Sequence, residues 1–161
     1  MTKIIIVDEG DNVIGTKERE EVKEEIYRVS ALWIKNSKNE FLLARRSLNK
    51  TNHPGKWGPA VAGTVEEGES YEENIYKEAE EELGIKDLKF EKGPKRFTIN
   101  IWKHFTQWYL LVMDQEKFDF NKEEVEEIKW YSNEEFLKEL EENPDKFVAP
   151  MKERFELFQI H

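Results

Sequence analysis

Short runs of β-favouring residues alternate with polar turns through the first third of the chain. Residues 8–12 form an acidic turn between the first two runs, and residues 36–39 predict a hairpin turn between the next two. Residues 48–59 are polar, contain Pro54-Gly55 and Gly58-Pro59, and predict a loop. The predicted strands are residues 4–7, 13–16, 27–34 and 40–46.

The hydrophobic period changes to that of a helix after Ser70. Ser70 and Glu73 match the capping-box pattern S-x-x-E, and Leu83-Gly84 supplies a C-terminal stop. Apolar residues recur every fourth position between these signals, which indicates one buried stripe. The residues of that stripe are Tyr71, Ile75, Ala79 and Leu83.

The second half of the chain predicts more strands and two further helices. The strands are residues 88–91, 97–102, 108–113 and 128–131. Ser132 and Glu135 repeat the capping pattern before an apolar face of Phe136, Leu137 and Leu140, and a last helix follows Pro150 with Met151, Phe155 and Phe158 inward. With no repeat or linker, residues 1–161 predict one α/β domain with a mixed, largely antiparallel sheet.

Composition narrows the function classes. The 161 residues include no cysteine, which excludes disulfides, thiolate metal sites and a cysteine nucleophile. The net charge of −10 disfavours a nucleic-acid polymer as partner but permits a small phosphorylated ligand bridged by a cation. The early apolar run of residues 4–7 is too short for a membrane span or signal peptide, so we expect a cytoplasmic protein without a membrane partner.

Three glutamates on the first predicted helix are candidates for metal binding. Glu78, Glu81 and Glu82 stand at i, i+3 and i+4, so their carboxylates converge on one face, and hard divalent cations such as Mg²⁺ prefer oxygen ligands. The alternative is an ordinary solvated face, because residues 122–127 and 139–142 are similarly acidic. The helix alone leaves both interpretations open.

The segment of residues 63–85 resembles the Nudix box, G-x5-E-x7-R-E-U-x-E-E-x-G-U, in which U is a bulky aliphatic residue. Lys77 replaces the arginine of the pattern, and Ala79 is small for an aliphatic position. The residues in register are Gly63, Glu69, Glu78, Glu81, Glu82, Gly84 and Ile85.

The resemblance implies the Nudix fold, an α/β/α sandwich around a mixed sheet. It also implies that Glu78, Glu81 and Glu82 bind Mg²⁺, with Mn²⁺ as a second candidate. Glu69 is expected to orient the helix by pairing with Lys77, which keeps the charge of arginine but not its planar fork. Gly63 and Gly84 are the structural glycines of the box.

The flanking segments extend the resemblance. Residues 54–58 resemble the usual lead-in to the box, and the carbonyl of Ala62 stands where a backbone metal ligand is expected. Glu124, in the later acidic segment, is a candidate for an additional metal ligand or general base. Its alternative is an exposed carboxylate in a turn.

In the first half of the chain, residues 7–22 and 41–57 resemble the branch related to isopentenyl-diphosphate isomerase. In that relative, the positions of Arg46 and Lys50 hold the substrate diphosphate, although two ordinary surface cations would give the same pattern. Isomerase activity is not expected. Ala62 stands at the position of the catalytic cysteine, and Tyr27 and Thr64 stand where metal-binding histidines occur.

These features predict an Mg²⁺-dependent hydrolase that cleaves the diphosphate linkage of a small phosphorylated substrate. The substrate is a nucleoside diphosphate joined to a further group X, or a related organic pyrophosphate. Arg46, Lys50 and Lys77 are expected to offset its phosphate charge. The alternative from another class is a binding module that kept the fold but lost efficient catalysis, because Lys77 departs from the box. The sequence leaves the oligomeric state open, with a homodimer as one alternative.

Overall fold

Nine strands and three α-helices lie within residues 2–50, 53–149 and 151–158, the parts of the chain that the computed structural model describes. The strands are β1 Lys3–Val7, β2 Val13–Glu18, β3 Ile26–Lys35, β4 Phe41–Arg46, β5 Trp57–Pro59, β6 Val61–Thr64, β7 Glu91–Ile99, β8 Lys103–Val112 and β9 Val125–Tyr131. The helices are α1 Tyr71–Leu83, α2 Asn133–Glu142 and α3 Met151–Leu157.

Strand β3 is the centre of the sheet. Parallel strand β8 pairs with its whole length, whereas its other side pairs in succession with antiparallel β1, β6 and β4. The remaining pairs, β1–β2, β4–β5, β4–β9 and β7–β8, are all antiparallel. The mixed, largely antiparallel sheet of the predicted α/β fold is therefore confirmed.

The sheet forks beside β3. Residues 29–32 of β3 pair with β6, but residues 34–35 pair with β4. Strand β5 pairs with β4, so the chain crosses from one prong of the fork to the other between Pro59 and Val61. The fork opens the sheet at the start of the segment that carries the box residues.

Alternate residues of β3 enter two different hydrophobic layers, as the period of a strand requires. Ala31 and Trp33 pack in an aromatic-rich layer with α2 and α3, whereas Leu32 and Ile34 pack against α1. The predicted stripe of α1 is confirmed for Ile75, Ala79 and Leu83, which are fully buried, while Tyr71 is half-buried. The two layers enclose the sheet between helices.

The predicted ends of α1 are also confirmed. The Ser70 side chain accepts a hydrogen bond from the backbone N–H of Glu73, and the Glu73 side chain accepts one from the backbone N–H of Ser70. Gly84 adopts the left-handed conformation, with φ of 66°, and its N–H closes the last turn. The helix that carries Glu78, Glu81 and Glu82 therefore has a fixed register.

Several predicted element boundaries were wrong. The predicted loop 48–59 ends in β5, and β6 was missed, because short strands rich in glycine and proline form here only through pairing with β4 and β3. Residues 88–90 are not a strand, since the Phe90 ring stacks on Tyr76 and its N–H donates to the Tyr76 hydroxyl. The predicted strand 97–102 ends at Ile99, because Asn100 turns the chain by accepting a hydrogen bond from Trp102.

Two predictions about the C-terminal helices had different outcomes. Leu137 of α2 is 43% exposed rather than inward, so Phe136 and partly buried Leu140 alone form the apolar face. Met151, Phe155 and Phe158 are buried as predicted, although Pro150 itself lies outside the described residues. Within the described residues, no helix is both long and apolar enough to cross a membrane.

We predict that Phe136→Ala lowers the free energy of unfolding by about 3–5 kcal/mol, the usual cost of truncating a buried phenylalanine. Phe136 has no exposed surface and packs within 5.2 Å, between ring centroids, of Phe41, Phe147 and Phe155. Leu137→Ala on the same helix is the matched control and should change stability by less than about 0.5 kcal/mol. Urea denaturation of both variants measures the difference, and equal losses would contradict the assigned layer.

Candidate active site

Gly63 provides the space in which Glu78 packs against the sheet. Gly63 lies in β6 opposite Ser30 of β3. A Cβ atom at Gly63 would lie 2.5 Å from Cγ and 2.6 Å from Cδ of Glu78, closer than non-bonded carbons approach. Gly63 therefore lets α1, the helix that carries the candidate catalytic glutamates, lie directly on β6.

Glu78 and Glu82 form a partly buried acidic cluster with Glu124. Burial is the main cause that raises the pKa of Glu78 to about 7; Lys77 opposes the rise, and the charges of Glu81 and Glu124 contribute to it. Burial also raises the pKa of Glu82 well above its usual range, and the charges of Glu78 and Glu124 add to that effect. Glu78 and Glu124 therefore lie close enough to Glu82 for their charges to disfavour its ionisation.

One oxygen of this cluster lacks a partner. Within the described residues, Oε2 of Glu82 is buried and accepts no hydrogen bond. Leaving a buried carboxylate oxygen unsatisfied is costly, and polar groups in that state often mark a ligand or ion site. Oxygen-only donors with excess negative charge are the donor set that a hard divalent cation prefers. The cluster therefore fits such a cation chemically.

The third predicted carboxylate of α1 is placed differently. Glu81 is exposed, and it acts on Glu78 through its charge. Within residues 2–50, 53–149 and 151–158, no group of three or more histidine or acidic side chains already has the arrangement of a metal site. The structure thus brings Glu78, Glu82 and Glu124 together, and leaves Glu81 at the rim.

A loop after β8 brings Glu124 to the end of α1. The N–H of Asn121 donates to the carbonyl of Glu82 at 2.9 Å, and the carbonyl of Asn121 accepts from the N–H of Glu124 at 3.0 Å. A Cβ at Gly84 would lie 3.3 Å from the carbonyl oxygen of Asp119. Gly84 therefore both ends the helix and permits the close approach of the loop that carries Glu124.

Glu69 and Lys77 anchor α1 to the loop before it. Lys77 Nζ lies 2.6 Å from Glu69 Oε2, 3.1 Å from Glu66 Oε2 and 4.0 Å from Glu78 Oε1. Although burial opposes ionisation, the hydrogen bond from Lys77 and two others hold the pKa of Glu69 below its usual range. Lysine thus makes the ion pair expected of the arginine, and the contact of Lys77 with substrate phosphate stays a prediction.

Asn74 is a positioning residue that the sequence analysis missed. Its side-chain N–H donates to the carbonyl of Thr64 at 3.1 Å and to Oε1 of Glu69 at 3.0 Å, and its Oδ1 accepts from the hydroxyl of Ser30. Asn74 has no exposed surface, so it fastens α1 to β3, β6 and Glu69 at once. The sequence contained a signal for this role, because Asn74 is a polar residue directly before Ile75 of the buried stripe.

The predicted phosphate-binding cations lie beside the acidic cluster. Arg46, at the end of β4, is half-buried, and burial lowers its pKa while Glu82 and Glu124 oppose that change. Lys50 forms an ion pair with Glu124. The backbone N–H of Ser47 donates to the carbonyl of Glu124 at 3.1 Å, which joins the two segments. Arg46 and Lys50 therefore lie beside the acidic cluster, at the place where the sheet forks.

Ala62 occupies the other prong of the fork. It pairs with Ala31 in β3 and packs against the aromatic layer, one residue before Gly63, whose Cβ direction points to Glu78. Because consecutive strand residues face opposite sides, the backbone at Ala62 separates the acidic cluster from that layer. The role of its carbonyl as a metal ligand stays a prediction.

Comparison with known proteins identifies the family. The NUDIX domain model matches residues 21–151. An uncharacterized Nudix hydrolase of Yersinia pestis is 33% identical over 148 residues, which cover 89% of this chain and 81% of that protein. The chain belongs to the Nudix hydrolase family. Pyrophosphate hydrolysis is the general activity of this family, and its enzymes generally use divalent metals.

Two further similarities agree with the branch and the fold. The isopentenyl-diphosphate Delta-isomerase of Klebsiella pneumoniae is 31% identical over 85 residues, which cover 51% of this chain and 46% of that enzyme. A crystal structure from Deinococcus radiodurans superposes with a TM-score of 0.84 at 23% identity, covering 98% of this chain and 99% of that one. The latter similarity establishes a shared fold.

We predict that Gly63→Ala destabilises the protein by about 1–3 kcal/mol, the usual cost of overpacking, and displaces Glu78. Gly15→Ala is the matched control, because a Cβ at Gly15 meets nothing within 4 Å. Its stability should stay at or slightly above that of the wild type. Urea denaturation compares the two, and an unchanged Gly63→Ala variant would refute the close packing of β6 on Glu78.

We also predict that, in metal-free protein, the acidic cluster lowers the free energy of unfolding increasingly as pH rises. Because the pKa of Glu78 is about 7 in the fold against 4.5 ordinarily, its contribution to stability is greatest below pH 4.5 and is lost as pH rises towards 7. Glu82 acts in the same direction. Glu82→Gln should therefore gain stability relative to wild type as pH rises through this window.

The measurement is the free energy of unfolding of both proteins in EDTA from pH 5 to pH 8. The difference between them isolates the cluster from the other titrating groups. A difference that stays constant across this range would contradict the raised pKa values.

Proposed function

We propose that this protein hydrolyses the diphosphate linkage of a small organic diphosphate, such as a nucleoside diphosphate linked to X, with Mg²⁺ as cofactor. The observation that carries the proposal is the partnerless, buried oxygen of Glu82 beside Glu78 and Glu124. Burial and neighbouring negative charge disfavour the ionised forms of Glu78 and Glu82, and a bound cation reverses that preference. Arg46 and Lys50 adjoin the cluster and complement phosphate oxygens.

The residues proposed to hold the cation are Glu78, Glu81, Glu82 and Glu124, together with the carbonyl of Ala62. Their oxygen-only chemistry suits Mg²⁺, with Mn²⁺ as a second candidate. A divalent cation held there supplies charge neutralisation for phosphate and makes a bound water more acidic.

Side chains of the protein bind the substrate, accept the proton and position the helix. Arg46 and Lys50 orient the substrate by binding its phosphate oxygens. As the alternative to holding the cation, Glu124 would act as the general base: when Lys50 exchanges Glu124 for a substrate phosphate, the carboxylate loses its ion-pair partner and becomes able to accept a proton from the attacking water. The Lys77–Glu69 pair and Asn74 keep α1 fixed while this exchange takes place.

Isomerisation of an isoprenoid diphosphate is not proposed, despite the similarity to that enzyme. The reaction protonates and deprotonates carbon, and Ala62 stands where the resemblance places the catalytic cysteine. Tyr27 and Thr64 likewise stand in place of metal-binding histidines. We propose a cytoplasmic location, where a chain without cysteine needs no disulfides, and a small phosphorylated molecule as the partner.

The test is turnover of nucleoside triphosphates, nucleotide sugars, dinucleotides and isoprenoid diphosphates with Mg²⁺. Glu82→Gln should lower turnover by at least about a hundredfold, the lower end of what a positioned acid–base group contributes. Glu80→Gln is the matched control, since Glu80 is exposed on the same helix, and it should keep full activity. Full activity of Glu82→Gln would remove the site assignment, and ligand binding without any turnover would favour a binding module.

A further inference from the structure

Strand β7 lies at an edge of the sheet. In the described part of the chain it pairs with β8 alone, so its outer side presents backbone N–H and C=O groups without a partner strand. Such an edge is a template for pairing with another strand, and proteins commonly protect it with proline, bulges or charge. The first half of β7 has this protection, because it contains Pro94 and a bulge between Lys92 and Lys95.

The second half of β7, residues 95–99, has a regular backbone and exposed apolar side chains. Its register with β8 is unbroken from Lys95 to Ile99, and these five residues include no proline. Phe97 is 43% exposed and Ile99 is 65% exposed. We call residues 95–99 the β7 edge. Neither a bulge nor a proline blocks this part of the strand, so it is able to accept a further strand.

The hairpin turn after β7 determines which backbone groups point outward. The N–H of Asn100 donates to the carbonyl of Trp102, so these two residues form a hydrogen-bonded pair of the antiparallel ladder. Because hydrogen-bonded and non-hydrogen-bonded pairs alternate, residues 96 and 98 bond to β8, and residues 95, 97 and 99 direct their backbone groups away from it. The carbonyl of Lys95 agrees with this assignment, since it accepts a hydrogen bond from the exposed guanidinium of Arg96 at 3.2 Å.

The sequence of the β7 edge is complementary to a second copy of itself. An antiparallel two-fold pairing centred on Phe97 places the two Phe97 rings opposite each other, an arrangement that stabilises paired strands. Lys95 then lies opposite Ile99 of the second copy, and Arg96 lies opposite Thr98 of the second copy. Centring the pairing on Lys95 or Arg96 would place two cations opposite each other, which is unfavourable. Centring it on Thr98 would draw the hairpin turn into the pairing.

The two ends of the β7 edge differ in charge. Lys95 and Arg96 make one end basic. The other end borders an open groove lined by Glu9, Glu24, Ile26, Phe97, Ile99 and Lys103. The two carboxylates of this groove outnumber its one cation. An antiparallel two-fold pairing brings the basic end of each copy to the acidic end of the other, so the charges are complementary at both ends.

We propose that two copies of this chain form a two-fold dimer through the β7 edge, with Phe97 at the symmetry axis and one sheet continuous across both copies. The pairing supplies strand partners for the outward backbone groups and covers the exposed Phe97 and Ile99 side chains. The carbonyl of Lys95 exchanges the Arg96 guanidinium for the N–H of Ile99 of the second copy. This inference is independent of the proposed function, because it uses no residue of the acidic cluster.

The dimer is a closed assembly. Each β7 edge meets the same edge of the other copy, so neither edge stays available for further growth. Strand β2 is also an edge strand, since it pairs with β1 alone in the described part of the chain. Pairing of β7 with β2 of another copy would join unlike edges and continue from copy to copy. The two arrangements therefore differ in the size of the assembly.

The first test measures the mass of the full chain in solution by analytical ultracentrifugation as protein concentration is raised. Wild type should approach twice the chain mass of 19.3 kDa. Ile99→Asp should weaken the dimer by about thirtyfold or more, the effect of a central interface residue. Val112→Asp is the matched control, because Val112 is 63% exposed at the end of β8 and lies outside the β7 edge, and it should dimerise like wild type. Circular dichroism checks that both variants are folded.

The second test uses the absence of cysteine from the chain, since a single introduced thiol is then the only one present. Phe97→Cys should form a disulfide-linked dimer under mild oxidation, because the register places position 97 of both copies opposite each other. Val112→Cys is the matched control and should cross-link much more slowly, by collision alone. Equal rates for the two variants would overturn the register.

Three results in the first test would overturn the proposal. Wild type could stay a monomer at every concentration, or it could form a series of larger species, as pairing between β7 and β2 would produce. A wild-type dimer that Ile99→Asp leaves intact would place the interface elsewhere. Loss of the dimer in Ile99→Asp, together with rapid cross-linking of Phe97→Cys, would support the proposal whether or not the protein hydrolyses a diphosphate.

Discussion

The burial of carboxyl groups on one face of α1, reinforced by neighbouring negative charge, is the constraint on which the site depends. Glu78 and Glu82 are held against the sheet, where burial disfavours the ionisation of both and the charge of Glu78 further disfavours that of Glu82. Gly63 makes room for this contact, and Asn74 with the Lys77–Glu69 pair keeps the helix from moving away. Ionisation of these carboxyl groups is therefore unfavourable in the fold until a positively charged ligand binds beside them. Such perturbed ionisable groups are common in ligand-binding sites.

Positive charge lies next to this cluster. Arg46 and Lys50 adjoin the carboxylates at the place where the sheet forks. A protein with a net charge of −10 therefore has two cations beside its acidic cluster. The overall charge disfavours a polyanion, but the local arrangement favours a small phosphorylated molecule.

Local signals in the sequence predicted the parts of the site that are close in sequence. The capping box at Ser70, the stop at Gly84 and the i, i+3, i+4 spacing of the glutamates are properties of one helix, so they were readable without knowledge of the fold. Strand β6 was missed because its four residues are held by pairing with β3.

Calorimetric titration with Mg²⁺ at pH 7 tests most directly whether the partly buried carboxyl groups of α1 form a divalent-cation site. The pKa values of Glu78 and Glu82 are raised, so binding should release protons, and the apparent enthalpy should change between buffers of different ionisation enthalpy. In Glu82→Gln, binding should weaken and proton release should fall. Binding without proton release, or binding unchanged by that substitution, would contradict the account.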